Sequence, residues 1–131
     1  MAVKAVVFDL FGVLYGNGWY DRELIAYVKQ LKRHYKIGLL SNTSGDTLRR
    51  HIAAGGMADL FDAAVASGET AYAKPDRGIF ELTAQKLGVE LPEILFFDDS
   101  ELHVVSAQNY GMQAVLYRSP ADVRGAITAQ T

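Results

Sequence analysis

The sequence predicts an α/β fold built on a mainly parallel sheet with helices packed on both faces. Three observations carry this expectation. Five short apolar runs of strand length, each bounded by turn residues or charges, are distributed along the chain. Between them lie stretches whose apolar residues fall on one helical face. The 131 residues, 50% hydrophobic and 21% charged, supply one core and leave no room for a second sizeable one, so residues 1–131 are read as a single domain.

In chain order, the first run, 5–8, forms a strand that ends on Asp9. Gly16, Asn17 and Gly18 then sit between Tyr15 and Trp19, which predicts a tight two-stranded flap over 13–20. Leu24, Ile25, Val28 and Leu31 share one helical face. A second strand over 37–40 runs into Ser41 and Asn42, and a helix is expected over 47–54. The third strand, 63–66, leads into a loop carrying Lys74. Ile79, Phe80, Leu82 and Leu87 form the next helical stripe, with Thr83 inside it. A fourth strand, 94–97, ends at Asp98 and Asp99. A helix over 102–110, a strand over 114–117 and a helix over 121–129 complete the chain, which is expected to fray beyond Ile127. There is no fixed-period repeat and no low-complexity segment.

Composition removes several function classes. Thirteen basic against fifteen acidic residues give a net charge of -2, too balanced for the polybasic footprint of nonspecific nucleic-acid binding. Without cysteine there is no disulfide framework, zinc–thiolate site or thiol nucleophile. Asp9 interrupts the first apolar run before it acquires signal-peptide character, and no run approaches the roughly 18 apolar residues of a membrane span. The expectation is a soluble cytoplasmic protein with no nucleic-acid or membrane partner.

In sheets of this kind ligands bind beyond the carboxyl ends of the strands, where the strand order switches. The residues there are Asp9, Ser41 with Asn42, Lys74, and the pair Asp98 and Asp99. Taken singly each has an ordinary reading: a turn former, a helix cap, a solvated loop lysine, acids opening the next helix. Their joint order is far less easily accidental.

That order, carried by VVFDLFGVL, GLLSNTS, AKPDRGIF and ILFFDDSELHVVSAQNYGM, resembles the haloacid dehalogenase-like hydrolase superfamily, from about Val3 to Tyr117. The resemblance implies a doubly wound three-layer sandwich with a Rossmann-like core. It also implies Asp9 as nucleophile, Ser41 on the phosphate, Lys74 steadying charge, and Mg²⁺ held by Asp9, Asp99, Asp98 and the backbone carbonyl of Phe11. The substrate class it implies is a small phosphate ester or an exposed phosphate.

The chemistry fits the residue types. A carboxylate approaching a phosphate meets about 4 kcal/mol of repulsion per charge pair at about 4 Å and an effective dielectric near 20. Mg²⁺ beside Asp9 and Asp99, and the Lys74 ammonium, offset that repulsion. The Ser41 hydroxyl and the backbone N–H groups of Asn42 and Thr43 are placed to cradle phosphate oxygens. An aspartyl-phosphate on Asp9 divides one difficult step into two.

Phe11 departs from the resemblance, since family phosphatases commonly carry an aspartate there that protonates the leaving oxygen. Losing such an acid typically costs about 10² to 10⁴ in rate. Relatives with glycine or tyrosine at this place include sugar-phosphate phosphatases and dehalogenases. Three readings follow: a phosphatase, a phosphate-binding module without turnover, and a 2-haloacid dehalogenase. His103, where the family often has an aspartate or asparagine, is a milder departure, expected to lie at the surface or behind the site rather than to act in catalysis.

Between Gly12 and Ser41 there is space for the flap, one helix and one strand, whereas capped relatives insert a helical domain here. The expectation is a capless protein whose rim is open unless an oligomer or a partner covers it. Tyr15, Trp19 and Tyr20 either line a substrate platform or pack the flap onto the core.

Overall fold

The computed structural model describes residues 2–130. The first strand, β1 (Ala5–Phe8), is followed by a hairpin of β2 (Tyr15–Gly16) and β3 (Trp19–Tyr20) and by helix α1 (Arg22–Leu31). Next come β4 (Lys36–Ser41), α2 (Gly45–Ala54), β5 (Ala63–Ala66) and α3 (Arg77–Leu87). The chain ends with β6 (Ile94–Asp98), α4 (Glu101–Asn109), β7 (Gln113–Leu116) and α5 (Pro120–Thr128). Every predicted strand and helix is present, with ends moved by one or two residues. Past Ile127, the Ala129 and Gln130 amides donate to the carbonyls of Gly125 and Ile127.

Five strands form one sheet in the order β5-β4-β1-β6-β7, and every pairing in it is parallel. Parallel neighbours need right-handed crossovers, so the direction of travel along the sheet decides which face each helix covers. Moving outward from β1 through β4 to β5, the chain lays α1 and α2 on one face. Its return through β6 to β7 lays α3 and α4 on the other.

Alternation within the strands builds the two cores. Val6, Phe8, Ile37, Leu39, Leu95 and Phe97 meet α1, α2 and α5. Ala5, Val7, Leu40, Ile94 and Phe96 meet α3 and α4. Since β1 and β6 carry apolar residues on both faces, they read as continuous hydrophobic runs. Phe8 and Phe97 stack at 5.6 Å, and each such buried side chain contributes about 1.5–3 kcal/mol.

Helices α1, α2 and α4 start on side-chain caps. Asp21, Ser44 and Ser100 accept from the amides of Leu24, Thr47 and His103, and the Ser119 amide donates to Asp122 beside Pro120 at the first position of α5. The flap turn places Asn17 at φ 53 and Gly18 at φ 83, the two positive values that a two-residue hairpin turn demands. Between β1 and α1 the described chain holds only this hairpin. No helix among the described residues is long and apolar enough to cross a membrane.

Candidate active site

The strand order reverses at β1, so a crevice opens beyond the carboxyl ends of β1, β4 and β6. Asp9 follows β1, Ser41 ends β4, and Asp98 ends β6 with Asp99 next to it. Lys74 reaches the same place from the loop between β5 and α3. The caps of α2 and α4 are Ser44 and Ser100, so Ser41, Asp98 and Asp99 are not helix caps.

Lys74 is not a solvated loop lysine. Its side chain is 1% exposed and its Nζ donates to Asp9 Oδ1 at 3.0 Å, Asp98 Oδ2 at 2.7 Å and the Leu40 carbonyl at 3.2 Å. Three acceptors satisfy the three donors of a buried ammonium. Asn42 pins the lysine's backbone from both sides: its Oδ1 accepts from the Lys74 amide at 2.9 Å and its Nδ2 donates to the Lys74 carbonyl at 3.1 Å. The Asn42 side chain is thus a positioning group.

The two carboxylates sharing Lys74 are pushed apart. Burial, with the neighbouring Asp98 and Asp99 charges, pushes Asp9 up to about 7 against the lowering effect of Lys74. Burial would also raise Asp98, yet Lys74, the Ser100 amide on Oδ1 at 2.9 Å and His103 hold it below the usual carboxylate range. His103 Nδ1 lies 3.1 Å from Asp98 Oδ2, which places this residue behind Asp98 rather than at the crevice surface.

Asp9 Oδ1 accepts from the Leu10 amide at 2.9 Å as well as from Lys74, while Oδ2 accepts no hydrogen bond among the described residues. Carboxylate oxygens of Asp9, Asp98 and Asp99 lie within 4.8 Å of one another. Asp98 has both oxygens engaged, whereas Asp99 is exposed and no side chain or backbone amide is bonded to it among the described residues. The Phe11 carbonyl accepts none of the loop's backbone hydrogen bonds. This set of hard oxygens suits a small divalent cation, which takes one or two carboxylates and leaves its remaining positions to water and substrate. Gly12, at φ +84, packs its backbone against the Asp99 carboxylate, where any Cβ would collide.

Ser41 Oγ is the one buried side-chain polar atom without a partner among the described residues. Such an orphan calls for an explanation, and a ligand oxygen supplies one. The Thr43 amide donates to the Ser41 carbonyl at 3.0 Å, so an incoming oxygen competes with this loop bond for that donor.

Phe11 is 38% exposed and turns its ring to Tyr15, at 6.1 Å, and to His51, at 5.3 Å. Tyr15 also lies 4.6 Å from both the Tyr20 and His51 rings, and the Tyr20 hydroxyl is bonded to His51 Nδ1 at 2.7 Å. Of the flap's aromatic residues, Tyr15 and Tyr20 pack against the core, and Trp19 is 78% exposed. His51 was not singled out in the sequence. Its contacts come from residues 31 to 40 positions earlier, and no local pattern announces them.

A family model described as haloacid dehalogenase-like hydrolase matches residues 20–111. A phosphatase from Mycobacterium tuberculosis is 32% identical over 97 residues, which cover 73% of this chain and 45% of that protein. The (S)-2-haloacid dehalogenase of Xanthobacter autotrophicus is 32% identical over 89 residues, covering 68% of this chain and 34% of that one. The chain spans less than half the length of either relative. A wild-type enzyme of the same family from Bacteroides thetaiotaomicron, in complex with magnesium and inorganic phosphate, shares the fold with a TM-score of 0.73 at 19% identity, over 88% of this chain and 94% of that one.

Proposed function

Because the chain belongs to the haloacid dehalogenase-like hydrolases, we propose that it is a Mg²⁺-dependent phosphatase working through an aspartyl-phosphate on Asp9. The observation that carries this reading is the state of Asp9: one carboxylate oxygen is fixed by Lys74 and the Leu10 amide, and the other is left without a partner beside Asp99. A nucleophile held by one oxygen and free at the other needs little reorganisation to attack.

Asp9 and Asp99 would hold Mg²⁺ with the Phe11 carbonyl, and Asp98 would stand behind them, orienting Lys74. When bound, the cation supplies positive charge to the phosphate oxygens and favours the anionic form of Asp9. Ser41 Oγ would donate to a phosphate oxygen, with the Asn42 amide as a second donor. Lys74 neutralises the charge gathering between Asp9 and the phosphoryl group. Asp9 Oδ2 forms the new bond to phosphorus as the leaving oxygen departs with its electron pair. Water then displaces Asp9 and releases phosphate.

The substrate is a small phosphate ester or an exposed phosphate, since only the hairpin stands between β1 and α1. Turnover of a phosphate-ester panel with and without Mg²⁺, with Asp9→Asn as control, tests the reading. Wild-type activity should require Mg²⁺ and fall at least about 10³-fold in the variant; unchanged turnover would refute the mechanism. Phe11 favours one second reading, carbon–halogen displacement by Asp9, which needs no acid. Halide release from a 2-haloacid without Mg²⁺ would select it.

A further inference from the structure

Phe11 does more than remove an acid. It puts an exposed ring two residues after Asp9 in the chain, next to Gly12, whose backbone lies against the Asp99 carboxylate. Behind it His51, Tyr15 and Tyr20 continue an aromatic wall, with ring centroids 4.6 to 5.3 Å apart along the chain of contacts from Phe11 to His51 to Tyr15 to Tyr20. The Tyr20 hydroxyl fixes the His51 ring, and Arg22 lies 5.4 Å over Tyr20 while donating to the Gly55 carbonyl, which steadies the wall from outside. On the other side of His51 a recess of about 310 Å³ opens between Tyr20 and the outer face of α2, lined by Thr47, Arg50, His51 and Ala54.

Two consequences of Phe11 select the same chemistry. With phenylalanine where an acid would stand, the leaving oxygen departs unprotonated, which penalises an alkoxide of an alcohol with a pKa near 16 far more than a phenolate with a pKa near 10. The surface around the exposed Phe11 ring is a set of aromatic faces and edges, which favour offset or edge-on contact with another ring.

We infer that the exposed Phe11 ring, with His51 beside it and Tyr15 and Tyr20 packed behind, is a leaving-group subsite for aromatic rings, and that the substrates are phosphate monoesters of phenols. This rests on the phosphatase reading above. In the transfer, Asp9 Oδ2 bonds to phosphorus, the P–O(aryl) bond breaks, and its electron pair leaves on the phenolate, which takes its proton from water. Water then attacks phosphorus, and inorganic phosphate and the free Asp9 carboxylate are the products.

The test separates the ring subsite from turnover by using phosphonates, which are not hydrolysed. Calorimetry with Mg²⁺ present compares phenylphosphonate with methylphosphonate for the wild-type protein, Phe11→Leu and Phe11→Tyr. The wild type should prefer phenylphosphonate about tenfold; Phe11→Leu, apolar but without a ring, should lose at least about half of that preference, and Phe11→Tyr should keep it. No preference in the wild type, or a preference that Phe11→Leu leaves intact, overturns the subsite. In parallel, phenyl phosphate should be hydrolysed with a kcat/KM at least about 10²-fold above cyclohexyl phosphate, and Phe11→Asp should narrow that ratio by raising the cyclohexyl rate. A ratio that Phe11→Asp leaves unmoved counts against the inference. An intact phenylphosphonate preference with no hydrolysis of either ester would overturn the phosphatase reading and leave the ring subsite standing.

Discussion

Lys74→Met keeps the length of the lysine stem and removes the one cation between two carboxylates that are almost fully enclosed, with side-chain exposures of 9% for Asp9 and 0% for Asp98. Removing one partner of a buried ion pair typically costs about 3–5 kcal/mol, because an uncompensated charge stays behind. The chain can escape by protonating Asp98, which sets a ceiling on the loss. From the ordinary value of 3.8, neutralising that group costs about 4 kcal/mol at pH 7 and under about 2 at pH 5. In the wild type the folded Asp98 lies below its unfolded value, so its contribution is present above that value and fades as pH falls through the depressed folded one. In Lys74→Met the folded group lies above the unfolded value, so stability declines as pH rises past about 4. Urea unfolding at pH 5 and pH 7 with a chelator present should therefore give a loss of about 4 kcal/mol at pH 7 that shrinks by about half or more at pH 5. Adding Asp98→Asn to Lys74→Met should restore much of the loss at pH 7. A loss below about 1 kcal/mol, or one equal at both pH values, would show that Lys74 does not act by compensating these charges.

Asp9 is pushed up to about 7, so the anionic nucleophile is lost as pH falls through that region, and kcat/KM should drop along a limb centred near it at low Mg²⁺. Raising Mg²⁺ favours the anion and should move the limb to lower pH; a limb that stays in place across Mg²⁺ concentrations would separate Asp9 from the metal. Gly12→Ala forces a side chain into φ +84 and into the Asp99 carboxylate, whereas Gly18→Ala at φ +83 meets open space. Thermal unfolding should show a loss of about 1–3 kcal/mol for Gly12→Ala and about 1 for Gly18→Ala. Only the first should weaken Mg²⁺ binding, by at least about tenfold, measured by titration. Equal Mg²⁺ affinities would mean that Gly12 does not set the position of Asp99.

What the sequence determined by itself is local. Strand-length runs and helical stripes depend on residues a few positions apart, so the elements were legible, and so was the rule that puts Asp9, Ser41 and Asp98 at strand ends. The positive-φ pair Asn17 and Gly18 announced the flap turn for the same reason. The difference between Asp98 and Asp99 was not legible, because adjacent residues on a strand end point to opposite sides and only the packed sheet decides which meets Lys74. Nor was the burial of Lys74, whose acceptors come from the residue after β1, from β4 and from the end of β6, at separations of 65, 34 and 24 residues. The aromatic wall is the clearest case of all. Phe11 read as a lost acid when only its own neighbours were in view, and tertiary packing against His51 made it part of a surface, since side chains 40 residues apart have no common periodicity to betray their contact.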